Sequence, residues 1–225
     1  MSSEPPSAEA VFDTVGAAYE DAFAGLPTQA ASLRWILSQL AESDIKRAKI
    51  VDIGCGTGRP VCSVLSEAGH DVLGIDISAA MLEAARARVP AAKFEKLDVR
   101  DFNPPAASYD VATAYFSLIA GVTQNDIREI IKKIFGFLKD GGIFVFSTVP
   151  LDAESADIHW MGNPVRVSSL APEAAVAAVK EAGFEVLFEE VSTFTPKAEE
   201  AGICKADQVW EETHLFVYAK KPAAK

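Results

Sequence analysis

The chain has 225 residues, of which 49 % are hydrophobic and 24 % charged, a composition that fits one globular domain. Thirty-two acidic against 21 basic side chains leave a formal net charge of −11, a field that repels phosphate backbones and argues against a general nucleic-acid binder. No segment approaches the roughly 20 apolar residues that span a bilayer, and three cysteines (Cys55, Cys62 and Cys204) without metal-ligand spacing suggest neither a disulfide framework nor a metal site.

The opening residues, rich in serine, proline and glutamate, read as a disordered tail over 1–9, without the charged and apolar regions of a secretory signal. A cytoplasmic location is the default expectation. The run AKIVDI (48–53) reads as a first buried strand, and RPVCSVLSEAG as a helix stopped by Gly69. HDVLGID (70–76) is a second strand, followed by a helix that Ser78 caps. AKFEKLDV (92–99) and YDVATAYFSL (109–118) are the third and fourth strands. The next helix should be capped by Asn125 or Asp126 and stop at Gly141-Gly142, before a fifth strand at 143–149. After the helix APEAAVAAVKEAGF come EVLFEEV (185–191) and THLFVYAKK (213–221), joined by what reads as a loop, so this pair is expected to be antiparallel at one edge.

Strands alternating with helices imply an α/β, doubly wound, mostly parallel sheet, whose ligands bind beyond the carboxyl ends of the strands. There the first strand runs into Gly54, Gly56 and Gly58, which allow a ligand to touch bare main chain. A dinucleotide fingerprint would put its third glycine at 59, where this chain has Arg59, and Asp52 would sit poorly beside a pyrophosphate. The carboxylate better suits a ligand with positive charge, an ammonium or a sulfonium. Asp76 closes the second strand, where a carboxylate can accept hydrogen bonds from a ribose diol. Asp98 closes the third, where it can take up an adenine amine while the Val99 main chain addresses the ring; Asp101 is close enough to be confused with it.

In this combination VDIGCGTG resembles the first motif of the class I S-adenosylmethionine-dependent methyltransferases, and GIDIS, KLDVRDF, YDVATAYFSL and LKDGGIFVFST resemble the later ones in order. The resemblance covers about residues 11–150. It implies a Rossmann-like seven-stranded sheet of order 3-2-1-4-5-7-6 with an antiparallel last strand. It also implies S-adenosylmethionine as cofactor, S-adenosylhomocysteine as product, and no metal. Gly54, Gly56 and Gly58 would then pass under the methionine portion with Asp52 nearby, Asp76 and Ile77 would meet the ribose, and Asp98 and Val99 the adenine. Tyr115 would sit beside the methionyl group as a positioning residue. Residues 10–225 form a single domain in this reading, with 10–45 as a helical lid in which Tyr19 binds the cofactor carboxylate and Phe12 packs against the acceptor.

The acceptor side is expected in an insert over 150–170, long for a structureless loop. His159 is the candidate base, with Trp160, Asn163 and Arg166 around the acceptor, and with Phe116 and Ser117 at the pocket mouth. These features suit a small acceptor methylated on oxygen or nitrogen by a monomer or homodimer, with no nucleic acid or membrane partner. Two other readings remain: a cofactor-filled pocket used for binding or a non-transfer reaction, and a nicotinamide oxidoreductase, which Arg59 counts against.

Overall fold

The computed structural model describes residues 5–223, so the first four residues of the expected tail lie outside the described residues. The chain is helical sooner than the tail reading allows. Ser7 accepts a hydrogen bond from the Ala10 amide and starts α1 (Ala8–Val15), followed by α2 (Ala18–Ala22) and α3 (Pro27–Glu42).

The expected alternation then holds through β1 (Lys49–Ile53), α4 (Val61–Glu67), β2 (Asp71–Asp76), α5 (Ala79–Arg88), β3 (Lys93–Lys96), β4 (Tyr109–Tyr115) and α6 (Gln124–Phe137). Ser78 caps α5 as expected, its hydroxyl accepting from the Met81 amide. The cap of α6 is Thr123, not Asn125 or Asp126. Its hydroxyl accepts from the Asp126 amide while the Asp126 carboxylate reaches back to the Thr123 amide, a reciprocal box. The same helix stops at Phe137 rather than at Gly141-Gly142. Leu138 already pairs with Tyr109, and β5 (Leu138–Thr148) runs through both glycines, where Gly141 and Gly142 bond the Lys221 main chain.

Between β5 and α7 (Pro172–Glu181) lies an antiparallel hairpin, β6 (Ala153–Trp160) with β7 (Asn163–Ser169), where the sequence suggested an irregular insert. Its two-residue turn, Met161-Gly162, has φ of 48° and 75°. That left-handed pair matches the twist of a tight hairpin. The chain closes with β8 (Glu185–Phe194) and β9 (Glu212–Lys220), both antiparallel to their neighbours.

The main sheet has the order β3-β2-β1-β4-β5-β9-β8, the expected 3-2-1-4-5-7-6 once the hairpin is set aside. One face packs on α3, α4 and α5 through Ile36, Leu40, Leu65 and Leu82, and the other on α6 and α7 through Ile131, Ile134 and Val179. Apolar residues on both faces are why β1, β4 and β5 read as continuous hydrophobic runs. The loops after β1, β2, β3 and β4 meet at one end of this sheet, where order reverses between β1 and β4.

Candidate functional site

A cleft of about 680 Å³ opens at that end, covered by α1 and α2. Gly54, Gly56 and Gly58 all have positive φ, between 52° and 76°, but they serve three different purposes. A Cβ on Gly54 would lie 2.2 Å from Cβ of Ser117, so this glycine lets β1 and the β4 loop touch. A Cβ on Gly56 would meet nothing within 4 Å, because that side is the cleft. Gly58 does not line the cleft; its bare Cα accommodates the ring of Phe94, 2.9 Å from where a Cβ would stand. For this third glycine the packing explanation is the correct one.

The three carboxylates expected at the strand ends can be placed. Asp52 is buried, accepts from Thr113 Oγ1 at 2.7 Å and Cys62 Sγ at 3.4 Å, and burial pushes its pKa up to about 7. Asp76 accepts from the main chain of Gly56 and Ser78, both at 2.8 Å, and burial raises its pKa too. Asp98, not the exposed Asp101, lines the cleft. Arg100 wraps it at 2.6–3.1 Å and lowers its pKa. That arginine, two residues on, was absent from the sequence reading. Ile77 and Val99 complete the same wall.

The N-terminal segment is fastened over this cleft by charge. Asp13 accepts from Ser78 Oγ at 2.6 Å and from the Ala80 amide at 3.2 Å, and Glu9 pairs with Lys96 at 2.6 Å. Glu20 holds Arg88 and approaches Arg59 to 3.7 Å, so Arg59 faces a lid carboxylate. Tyr19 hangs from this lid into the cleft, where burial, followed by Glu212 and Asp76, holds its phenol well above the usual range.

A family model described as a methyltransferase domain matches residues 50–142, the segment that carries the glycine loop and all three strand-end aspartates. This segment is similar to that methyltransferase domain, and the sheet order is that of the class I S-adenosylmethionine-dependent methyltransferase fold. It is similar to YqeM of Bacillus subtilis, classed with the methyltransferases, at 34 % identity over 117 residues, covering 50 % of this chain and 45 % of that one. It is also similar to trans-aconitate 2-methyltransferase of Paracidovorax citrulli, at 37 % over 98 residues, 42 % of this chain and 36 % of that one. The chain thus spans less than half the length of both relatives. Among solved structures, a SAM-dependent methyltransferase from Methanosarcina mazei superposes with a TM-score of 0.64 at 18 % identity, covering 80 % of this chain and 94 % of its own. The [4+2]-cyclase SpnF superposes with a TM-score of 0.67 at 20 % identity over 98 % of both chains. At such identities the likeness is one of fold.

In this methyltransferase fold a second, smaller chamber of about 90 Å³ adjoins the cleft. Phe12, Tyr19, Phe23 and Phe116 line both, so the lid aromatics form the partition. Phe12, Tyr19 and Phe23 surround Trp160 at ring-centroid distances of 6.0–6.4 Å. Phe116 has φ of 54°, a costly left-handed conformation for a bulky residue, and its amide bonds the Ser147 carbonyl. Ser117 instead faces the cleft beside Gly54, with a buried Oγ that has no partner. Tyr115 also borders the cleft, but its hydroxyl is spent on Ser32 Oγ at 2.7 Å, and burial raises its pKa.

Three expected acceptor-side residues do not reach either cavity. Alternation along β6 sends Ile158 and Trp160 inward and His159 out to solvent. Arg166, on the outer face of β7, pairs with Asp157 at 2.7 Å. Asn163 closes the hairpin turn by donating to the Met161 carbonyl. The charged group that does border the chamber comes from β9: Glu212 accepts from Trp160 Nε1 at 2.9 Å and pairs, behind the lining, with His214 Nε2 at 3.1 Å. The run THLFVYAKK placed a strand from 213, one residue short of Glu212, which by alternation shares a face with His214.

Proposed function

We propose that this protein transfers a methyl group from S-adenosylmethionine to oxygen or nitrogen of a small acceptor held in the aromatic chamber. The observation that carries this reading is the pair Asp52 and Asp76. Both line the cleft, both are withdrawn from water, and neither has a cationic partner among the described residues. A ligand that combines a positive charge with a diol offsets exactly that desolvation cost. The cleft fits such a ligand on two further counts: the open side of Gly56 and the unpartnered Ser117 Oγ.

In this reading Gly54 and Gly56 present main chain to the methionine portion, with Asp52 balancing its charge. Asp76 and Ile77 take the ribose, and Asp98 and Val99 the adenine. Tyr19 closes on the cofactor from the lid, and Tyr115 is held rigid by Ser32 as a positioning residue. When bound, S-adenosylmethionine supplies a methyl group on a positively charged sulfur, open to in-line displacement. The α1–α2 lid excludes water from that line, and Phe12 and Phe116 hold an acceptor at the partition.

Calorimetry with S-adenosylhomocysteine and NAD, followed by labelled-methyl transfer into a metabolite extract, tests the proposal. Submillimolar S-adenosylhomocysteine binding, no NAD binding and a labelled small molecule are expected. NAD binding in its place refutes the reading. The full-length likeness to a [4+2]-cyclase supports a second reading, in which the bound cofactor serves a non-transfer reaction. Homocysteine-analogue binding without any labelled product decides for that one.

A further inference from the structure

The chamber behind Phe116 is largely apolar, with the Tyr19 phenol and one carboxylate among its described lining. Its lining is aromatic and aliphatic, from Phe12, Phe23, Ile158, Val165 and Trp210, and Glu212 is the one charged group among its described lining residues. We infer that Glu212 is the acceptor-recognition group. It selects a flat, apolar acceptor that carries a hydroxyl or an amine N–H, and it rejects acceptors that present a carboxylate there. The inference rests on the methyl-transfer reading for what the chamber is for.

The geometry supports it in three ways. Glu212 is only 6 % exposed and His214 is fully buried, so the carboxylate has lost its water. Its two oxygens are each held by one donor, Oε1 by the Trp160 indole and Oε2 by the His214 ring, which fixes the group toward the chamber and leaves each oxygen a spare lone pair. The His214 ring is itself packed, tilted by 51° with its centroid 4.5 Å from that of Phe116, and its Nδ1 finds no partner. In the neutral ring this arrangement places the hydrogen on Nε2, so His214 acts as a positioning residue for the carboxylate. A buried carboxylate with spare lone pairs takes a further donor favourably and a second anion very poorly. Phe116, which packs on His214, belongs to the partition, so an acceptor bonded to Glu212 lies near the wall shared with the cleft.

Three probes of one shape test this: benzyl alcohol, benzylammonium and benzoate, added to protein saturated with S-adenosylhomocysteine. Trp160 and Trp210 border the chamber, so their fluorescence reports occupancy. In the native protein the alcohol and the ammonium are expected to bind at least about tenfold more tightly than benzoate. Glu212→Gln should narrow that gap below about threefold. Benzoate binding as well as benzyl alcohol overturns the inference, as does no binding of any probe or an unchanged ranking in Glu212→Gln. If that variant does not fold, the ranking in the native protein decides alone. Failure to bind S-adenosylhomocysteine would instead sink the methyltransferase reading, and the two failures are told apart in the same cuvette.

Discussion

Alanine at position 54 and alanine at position 56 add the same methyl group to two left-handed residues in one loop. Each carries a backbone cost of about 1–2 kcal/mol for a non-glycine residue in that conformation. At Gly54 the new carbon would overlap Ser117, 2.2 Å from its Cβ and 3.3 Å from its Cα, so backbone of the β4 loop must move. Overpacking of that kind adds about 1–3 kcal/mol, for a total near 2–5 kcal/mol. At roughly 2–4 °C per kcal/mol in a chain of this size, Gly54→Ala should melt about 4–20 °C below the native protein. Gly56→Ala meets no atom within 4 Å and should lose only the backbone cost, about 2–8 °C. Its methyl group stands in the cleft, however, so S-adenosylhomocysteine affinity should fall tenfold or more. Differential scanning calorimetry and titration calorimetry read the two effects separately. Equal melting losses in the two variants, or native affinity in Gly56→Ala, would refute the division of labour assigned to these glycines.

Asp52 makes a prediction about pH. Its native pKa of about 7 lies above the ordinary carboxylate value, so the ligand-free native state holds more protons than the unfolded chain between about pH 4 and 7. Stability contributed by Asp52 is therefore present below that window and lost as pH rises through it. Asp52→Asn should gain on the native protein by on the order of a few kcal/mol between pH 4 and 8 in urea unfolding, and parallel pH curves would contradict this. Ser117→Ala removes a buried hydroxyl with no partner, so its melting temperature should hold or rise while S-adenosylhomocysteine binding weakens severalfold. His159→Ala, on the outer face of the hairpin, should change stability by less than about 0.5 kcal/mol and leave methyl transfer intact; a large loss of turnover would return His159 to the mechanism.

The cofactor side of the site was legible because its requirements are local. A glycine loop after a buried strand and an aspartate at each of three strand ends are contiguous signals, and the parallel sheet brings them to one edge. What stayed hidden depends on pairing between distant segments. The hairpin was masked by its turn: Met161 occupies a left-handed position usually marked by asparagine or glycine, and its own burial offsets the strain. Without the hairpin, alternation along 153–160 could not be assigned, and His159 took the role of an inward residue when Trp160 has that place. Glu212 looked like one more acid in a charged loop because β9 begins one residue earlier than its apolar run. Asp98 was read without Arg100, although a guanidinium two residues away reaches a carboxylate at a chain turn.

The hairpin enters after β5 and returns to α7, with Ser169 Oγ tying its base to the Val149 carbonyl and the Leu151 amide. It therefore behaves as an exchangeable cassette, set into the chain without interrupting the main sheet. It supplies the shape of the acceptor chamber through Ile158, Trp160, Val165 and Val167, whereas the charge of that chamber comes from Glu212 on the permanent framework. Grafting a different hairpin between residues 150 and 170 would resize the chamber and change which ring fits. The demand for a hydrogen-bond donor would survive an exchange that keeps Trp160, the indole that holds Glu212, so size and polarity preferences can diverge one at a time.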